Sequence, residues 1–215
     1  MNSTQKLLSY FFPQTRKIRS EFNGDLEVTV ANGRKVLDSL NANYSYGSLQ
    51  RILKFALSQL DLAPVCHVLL LGLGGGSAVA TLQLDFDFKG RITAVDIDPV
   101  VIRIAREEFG IIESEQLQIV CADAFTFVKT QPEQYELIII DLFIDNQVPD
   151  KFMAPAFWRY IRQRARPGGH LIFNTIGQTS GAERVKDELI HMGFEVREFA
   201  AVEGTNTLLI AERPE

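Results

Sequence analysis

The chain has 215 residues, 46% of them hydrophobic and 23% charged, which is enough apolar material for one sizeable core and too little length for two full domains. Lys and Arg number 22 against 27 Asp and Glu, and the net charge of −5 argues against a broad phosphate-binding surface, so nucleic acid is not an expected partner. Cys66 and Cys121 lack the spacing of a metal knuckle or redox pair and read as buried thiols; with only three scattered histidines, no metal site is expected. The first 13 residues carry neither a full apolar h-region nor a small-residue cleavage site. The most apolar stretch, 68–84, is cut by glycines and followed by Asp85 and Asp87. The expectation is a cytoplasmic chain that does not engage a membrane.

In chain order, the first signals are Asn23-Gly24 and Asn32-Gly33, flanked by alternating Leu26, Val28 and Val30, which predict a small antiparallel β unit. We place a boundary after Tyr46, with a β-rich unit over 1–46 and an α/β domain over 47–215. Leu49, Ile52, Leu53, Ala56, Leu57 and Leu60 form one helical stripe. Five apolar strand-like runs then alternate with helical segments: 68–71, 91–97, 117–121, 137–141 and 170–174. Such runs imply a parallel sheet covered on both faces. The last two runs, 194–200 and 207–211, are joined by too short a turn for a crossover helix and form an antiparallel hairpin. The expected fold is therefore α/β, a Rossmann-like sheet of the methyltransferase variant: five parallel strands plus a C-terminal antiparallel hairpin, helices on both faces.

The chemistry-bearing segment is Gly72-Leu73-Gly74-Gly75-Gly76-Ser77, which runs from the first parallel strand into a helix. Glycines at this place permit a sharp turn and let a ligand approach the backbone. Asp96 ends the second strand, where a carboxylate accepts hydrogen bonds from both ribose hydroxyls, with Ile97 beside it. Asp98, followed by Pro99, reads as a helix N-cap. Glycine turn and acid together fit either NAD or an adenosylmethionine ligand. After the third strand, Asp123 can accept an adenine amino group while Ala124 leaves room for the ring, and the same Asp123 can cap a helix. Asp141 ends the fourth strand beside the cleft and is the candidate catalytic group.

Together these residues resemble the spermidine/spermine synthase family, a branch of the adenosylmethionine-dependent methyltransferase fold. The resemblance rests on the β-rich N-terminal unit, Tyr44-Ser45-Tyr46-Gly47-Ser48, the glycine turn, Asp96-Ile97-Asp98, Asp123 with its neighbours, and Asp141. It implies S-adenosylmethionine or its decarboxylated form as cofactor, held by Gly72, Gly74, Gly75, Gly76, Asp96, Ile97, Asp123, Ala124 and Asp141. It further implies Asp141, Asp145 and Tyr46 as the catalytic group, with Asp141 deprotonating an attacking amine and Asp145 holding a distal ammonium.

The departures from the family pattern count as well. Gly75 stands where the family places an acid that grips the amino group of decarboxylated adenosylmethionine. The family's Asp-Ser-Ser-Asp-type loop is here Asp141-Leu142-Phe143-Ile144-Asp145, and its Tyr-Gln pair is Tyr46-Gly47. The leading expectation is accordingly methyl transfer from S-adenosylmethionine to a small or peptidic nucleophile. Aminopropyl transfer is the alternative, and a non-catalytic protein that keeps the fold is a third. A homodimer is expected from the exposed β unit and the apolar 142–144 loop.

Overall fold

The computed structural model describes residues 9–39, 43–144, 147–176 and 179–215, and Asp145, one of the expected site residues, lies outside them. A first sheet holds four antiparallel strands in chain order: β1 (Gln14–Ser20), β2 (Gly24–Ala31), β3 (Arg34–Asp38) and β4 (Asn43–Ser45). Both expected turns are present. Asn32 and Gly33 take φ values of 50 and 71° between β2 and β3, the two-residue geometry for which Asn-Gly is suited. Within the expected 1–46 unit, the sheet gains β4 from a segment whose polar residues carry no strand signal.

Helix α1 (Gly47–Leu57) buries Leu49, Ile52, Leu53, Ala56 and Leu57, the stripe read from the sequence, while Leu60 falls beyond its end. The chain then continues through β5 (His67–Leu71), α2 (Ser77–Ala80) with a π-helical turn Thr81–Asp85, β6 (Arg91–Asp96), α3 (Pro99–Phe109), β7 (Leu117–Cys121), α4 (Ala124–Thr130) and β8 (Tyr135–Ile140). It ends with α5 (Asp150–Met153), α6 (Pro155–Arg164), β9 (Ala165–Ile176), α7 (Thr179–His191), β10 (Glu195–Val202) and β11 (Asn206–Glu212). No helix among the described residues is long and apolar enough to cross a membrane.

The second sheet has the order β10-β11-β9-β8-β5-β6-β7, in which β9, β8, β5, β6 and β7 are parallel and the β10–β11 hairpin is antiparallel. Strand β5, in the middle of the five parallel strands, is buried at every position because alternate residues serve two cores. Val68 and Leu70 pack with α1 and α2 on one face. Leu69 and Leu71 pack with Trp158, Ile161, Val185 and Leu189 of α6 and α7 on the other. A third cluster joins Leu26, Val28 and Leu37 of the small sheet to Val101 and Ile104 of α3, so the two sheets share α3.

The cysteines depart from expectation. Both are exposed, because Cys66 precedes β5 and Cys121 ends β7, the edge strand of the large sheet.

Candidate active site

After β5 the chain builds β6 and β7 on one side, then returns to build β8 and β9 on the other. The crevice between the carboxyl ends of β5 and β8 is thus a topological switch point, the place where open α/β sheets take ligands. A cavity of about 360 Å³ opens there, within the range of small-molecule sites.

Most of the expected site residues meet in it. Gly72, Gly74, Asp96, Ile97, Asp123, Ala124 and Asp141 line the cavity. Gly75, Gly76 and Tyr46 do not. A Cβ at Gly75 would lie 2.9 Å from the Ser45 Cβ, and one at Gly76 would lie 2.3 Å from Ile111 Cγ1, so both positions serve close packing away from the cavity. Tyr46 stacks on Phe109 at 4.6 Å between ring centroids, and burial pushes its hydroxyl up to about 12.

Asp96 is nearly buried and organises the glycine turn. Its Oδ2 accepts from the backbone N–H of Leu73 at 3.1 Å and of Gly74 at 3.2 Å, and its Oδ1 accepts from Asp98 N–H at 3.0 Å. Burial raises its pKa to about 6 against the opposing pull of those hydrogen bonds. Asp98 caps α3 as expected, accepting from Val100 N–H at 2.8 Å. Its other oxygen has a role that the sequence did not reveal, since it accepts from Ser20 Oγ and from Asn23 Nδ2, the latter at 2.7 Å. The tip of the β1–β2 hairpin is thereby fastened beside Asp96, and Phe22 and Asn23 become part of the cavity wall.

Asp123 also has two functions. Oδ1 caps α4 through Thr126 N–H and Oγ1, both at 3.0 Å, while Oδ2 pairs with Lys151 of α5. Burial would raise its pKa, but the Lys151 ammonium and Thr126 outweigh it and hold the carboxyl below the usual range. Lys151 lines the cavity and lies 4.8 Å from the Phe152 ring centroid. Nothing in the sequence ties position 151 to Asp123, 28 residues away.

Asp141 follows β8 directly, its N–H bonded to Leu71 O at 2.9 Å. Its Oδ1 accepts from Asn174 Nδ2 at 2.8 Å, and burial raises its pKa to about 6, with the Asn174 hydrogen bond pulling the other way. The remaining wall is largely apolar: Leu49 and Ile52 from α1, Leu142, Phe143 and Ile144 after β8, and Ile176 at the end of β9. A largely apolar cavity with a carboxylate poised near neutrality at a strand end can take a proton from a nucleophile.

Strand order, crevice position and the row of strand-end acids define the class I adenosylmethionine-dependent transferase architecture. A solved spermidine synthase in complex with the transition state analogue AdoDATO superposes with a TM-score of 0.66 at 14% identity, covering 94% of this chain and 70% of that one. The chain belongs to the spermine/spermidine synthase domain family, whose model matches residues 57–191. Curated relatives include a polyamine aminopropyltransferase of Neisseria meningitidis serogroup A, 33% identical over 109 residues, 50% of this chain and 41% of the relative. They also include the eEF1A lysine and N-terminal methyltransferase of Bos taurus, 28% identical over 134 residues, 57% of this chain and 19% of the relative. The chain thus aligns to well under half the length of these relatives.

Proposed function

We propose that this chain is a transferase that uses an S-adenosyl sulfonium donor, with Asp141 as its base, and that it moves an aminopropyl group from decarboxylated S-adenosylmethionine to an amine. The observation that carries the reading is Asp141 itself: a carboxylate raised to about 6 by burial, held by Asn174, at the same crevice as Gly72, Gly74 and Asp96. Membership of the spermine/spermidine synthase domain family and the names of the aminopropyltransferase relatives favour the aminopropyl form over methyl transfer, the leading expectation from sequence.

The cavity's donors and acceptors fit an adenosyl group. Asp96 would take the ribose hydroxyls, Gly72 and Gly74 leave the backbone open to the ligand, and Ala124 leaves room for a ring whose amino group Asp123 would accept. The bound donor supplies an electrophilic carbon next to a sulfonium. The chain's own contribution is alignment, exclusion of water by the apolar wall, and transfer of the nucleophile's proton to Asp141.

Methyl transfer from S-adenosylmethionine is the second reading, favoured by one feature of the turn. Gly75, matched to the family's amino-gripping acid, is packed against Ser45 and Phe109 and leaves no space for such an acid. The methyltransferase relative supports it too.

Incubating the purified protein with each donor and a panel of amines, then identifying the nucleoside product by mass spectrometry, separates the two. Methylthioadenosine from the decarboxylated donor, lost in Asp141→Asn, is the expected result. Adenosylhomocysteine from S-adenosylmethionine would replace the first reading by the second, and no product from either donor would overturn both.

A further inference from the structure

The antiparallel hairpin that completes the large sheet reaches the candidate base through side chains alone. Asn174 is fully buried on β9, and Asn206 is 4% exposed at the start of β11. In the β11–β9 register Asn206 faces Ile176 and Leu208 faces Asn174, so the two asparagines are diagonal neighbours on one face, within side-chain reach. Thr205 Oγ1 and Asn206 Oδ1 are 2.7 Å apart, Asn206 Nδ2 donates to Asn174 Oδ1 at 2.9 Å, and Asn174 Nδ2 donates to Asp141 Oδ1 at 2.8 Å.

The run has one direction only. Asp141 as a carboxylate is acceptor-only, so Asn174 must turn its NH₂ toward it and its carbonyl away. That carbonyl requires a donor, which is the Asn206 NH₂, and the Asn206 carbonyl then accepts the Thr205 hydroxyl. Turning either amide over would set two acceptors or two donors face to face in a buried site, at the cost of unpaired buried polar groups. Among the described residues, Asp141 Oδ2 has no hydrogen-bond partner, although Asp141 lines the cavity.

We propose that Asn174 and Asn206 are positioning residues for Asp141: a directional hydrogen-bond chain from the β10–β11 hairpin that holds one carboxylate oxygen and leaves the other for the nucleophile's proton. The inference rests on Asp141 being the base. The chain favours the charged carboxylate, opposing the burial that disfavours it. Among the described residues, the other ionisable groups that line the cavity are Asp96 at the end of β6, Asp123 before α4 and Lys151 on α5. None of them contributes to the Asp141 shift, which arises from burial and Asn174.

The test is a carbon-13 titration of the aspartate carboxyls, with the Asp141 signal identified by its loss in Asp141→Asn, run alongside the pH dependence of transfer. In Asn206→Ala the Asp141 midpoint is expected to rise by at least about 0.5 unit. The acid limb of the rate profile moves with it, and kcat falls by a larger factor than any change in the donor KM, Asn206 itself being part of the cavity wall. Thr205→Val, at the exposed end of the chain, gives a smaller shift of the same sign and keeps the test open should Asn206→Ala fold poorly. An Asp141 midpoint equal to wild type in the folded variants would overturn the proposal. Because the titration needs no turnover, a wild-type protein without transferase activity would defeat the proposed function while this measurement still decides the positioning role.

Discussion

Gly72 and Asp141 meet where β5 and β8 end side by side: a Cβ on Gly72 would lie 2.1 Å from the backbone carbonyl oxygen of Asp141. Gly72 also has φ +96°, a region that side chains disfavour. The first glycine of the turn therefore lets the two strand ends close on each other, and in doing so sets where Asp141 stands.

Gly72→Ala should consequently damage stability and site together. The backbone strain costs about 1–3 kcal/mol, and a clash with backbone, which cannot rotate aside, adds an overpacking penalty of about 1–3 kcal/mol. Urea unfolding should show a clearly lower midpoint than wild type. An unchanged midpoint would mean that the strand ends are not in contact.

Asp141 and Asp96 make the protein's stability depend on pH in an unusual sense for carboxylates. Both are raised from 3.8 to about 6, so the folded chain binds their protons more tightly than the unfolded chain. Between about pH 4 and about pH 6 the folded state holds more protons, stability falls as pH rises, and above that window it stays at the lower level. Asp141→Asn keeps an acceptor for Asn174 but removes the charge. It should match wild type near pH 4 and be more stable at pH 7.5, by about 1–3 kcal/mol at roughly 1.4 kcal/mol per pKa unit. Unfolding midpoints at both pH values test this, and a difference independent of pH would show that the carboxyl is not shifted.

The sequence distinguished Asp96 from Asp98, assigning cofactor binding to the first and helix capping to the second; the geometry blurs that division. Asp96→Ala strands the N–H groups of Leu73, Gly74 and Asp98, so it should loosen the glycine turn as well as weaken adenosyl binding, by about tenfold or more for a lost charged hydrogen bond. Asp98→Ala should cost more than the ~0.5–2 kcal/mol of a cap alone, because Ser20 and Asn23 lose their acceptor too. It should also weaken adenosyl binding by releasing Phe22 and Asn23 from the cavity wall. Calorimetric titration with adenosylhomocysteine checks both, and wild-type affinity in Asp98→Ala would confine Asp98 to stability.

What could be read from the sequence divides along a physical line. Strand periodicity, the 49–57 stripe, both Asn-Gly turns and the strand-end acids are local patterns, and each survives in the fold. The residues missed act across long separations. Lys151 meets Asp123, Asn206 meets Asn174, and Ser20 and Asn23 meet Asp98 only because sheet order and the shared α3 bring them together. The glycine turn misleads for the opposite reason. Four glycines in one run suggest four ligand-facing positions, yet the turn rotates two of them away, toward Ser45 and Ile111.

Gly75 then offers a test of whether the packing of the turn bears on donor choice. Restoring the family's acid by Gly75→Asp places a Cβ 2.9 Å from Ser45 Cβ, 3.0 Å from Ser45 Oγ and 3.2 Å from Phe109 Cε2. Since Ser45 Oγ also accepts from Ser77 N–H at 3.3 Å, Ser45 is held against the turn and cannot yield freely. The single variant should lose about 1–3 kcal/mol of stability through overpacking. Ser45→Gly combined with Gly75→Asp should recover much of that loss, because the nearest obstacle is gone. Because a Cβ at position 75 points at Ser45 and Phe109 and the residue does not line the cavity, the double variant should keep the wild-type preference between decarboxylated and full S-adenosylmethionine. A shift of the double variant toward the decarboxylated donor would show instead that position 75 reaches the donor's amino end and that the missing acid sets donor choice in the wild type.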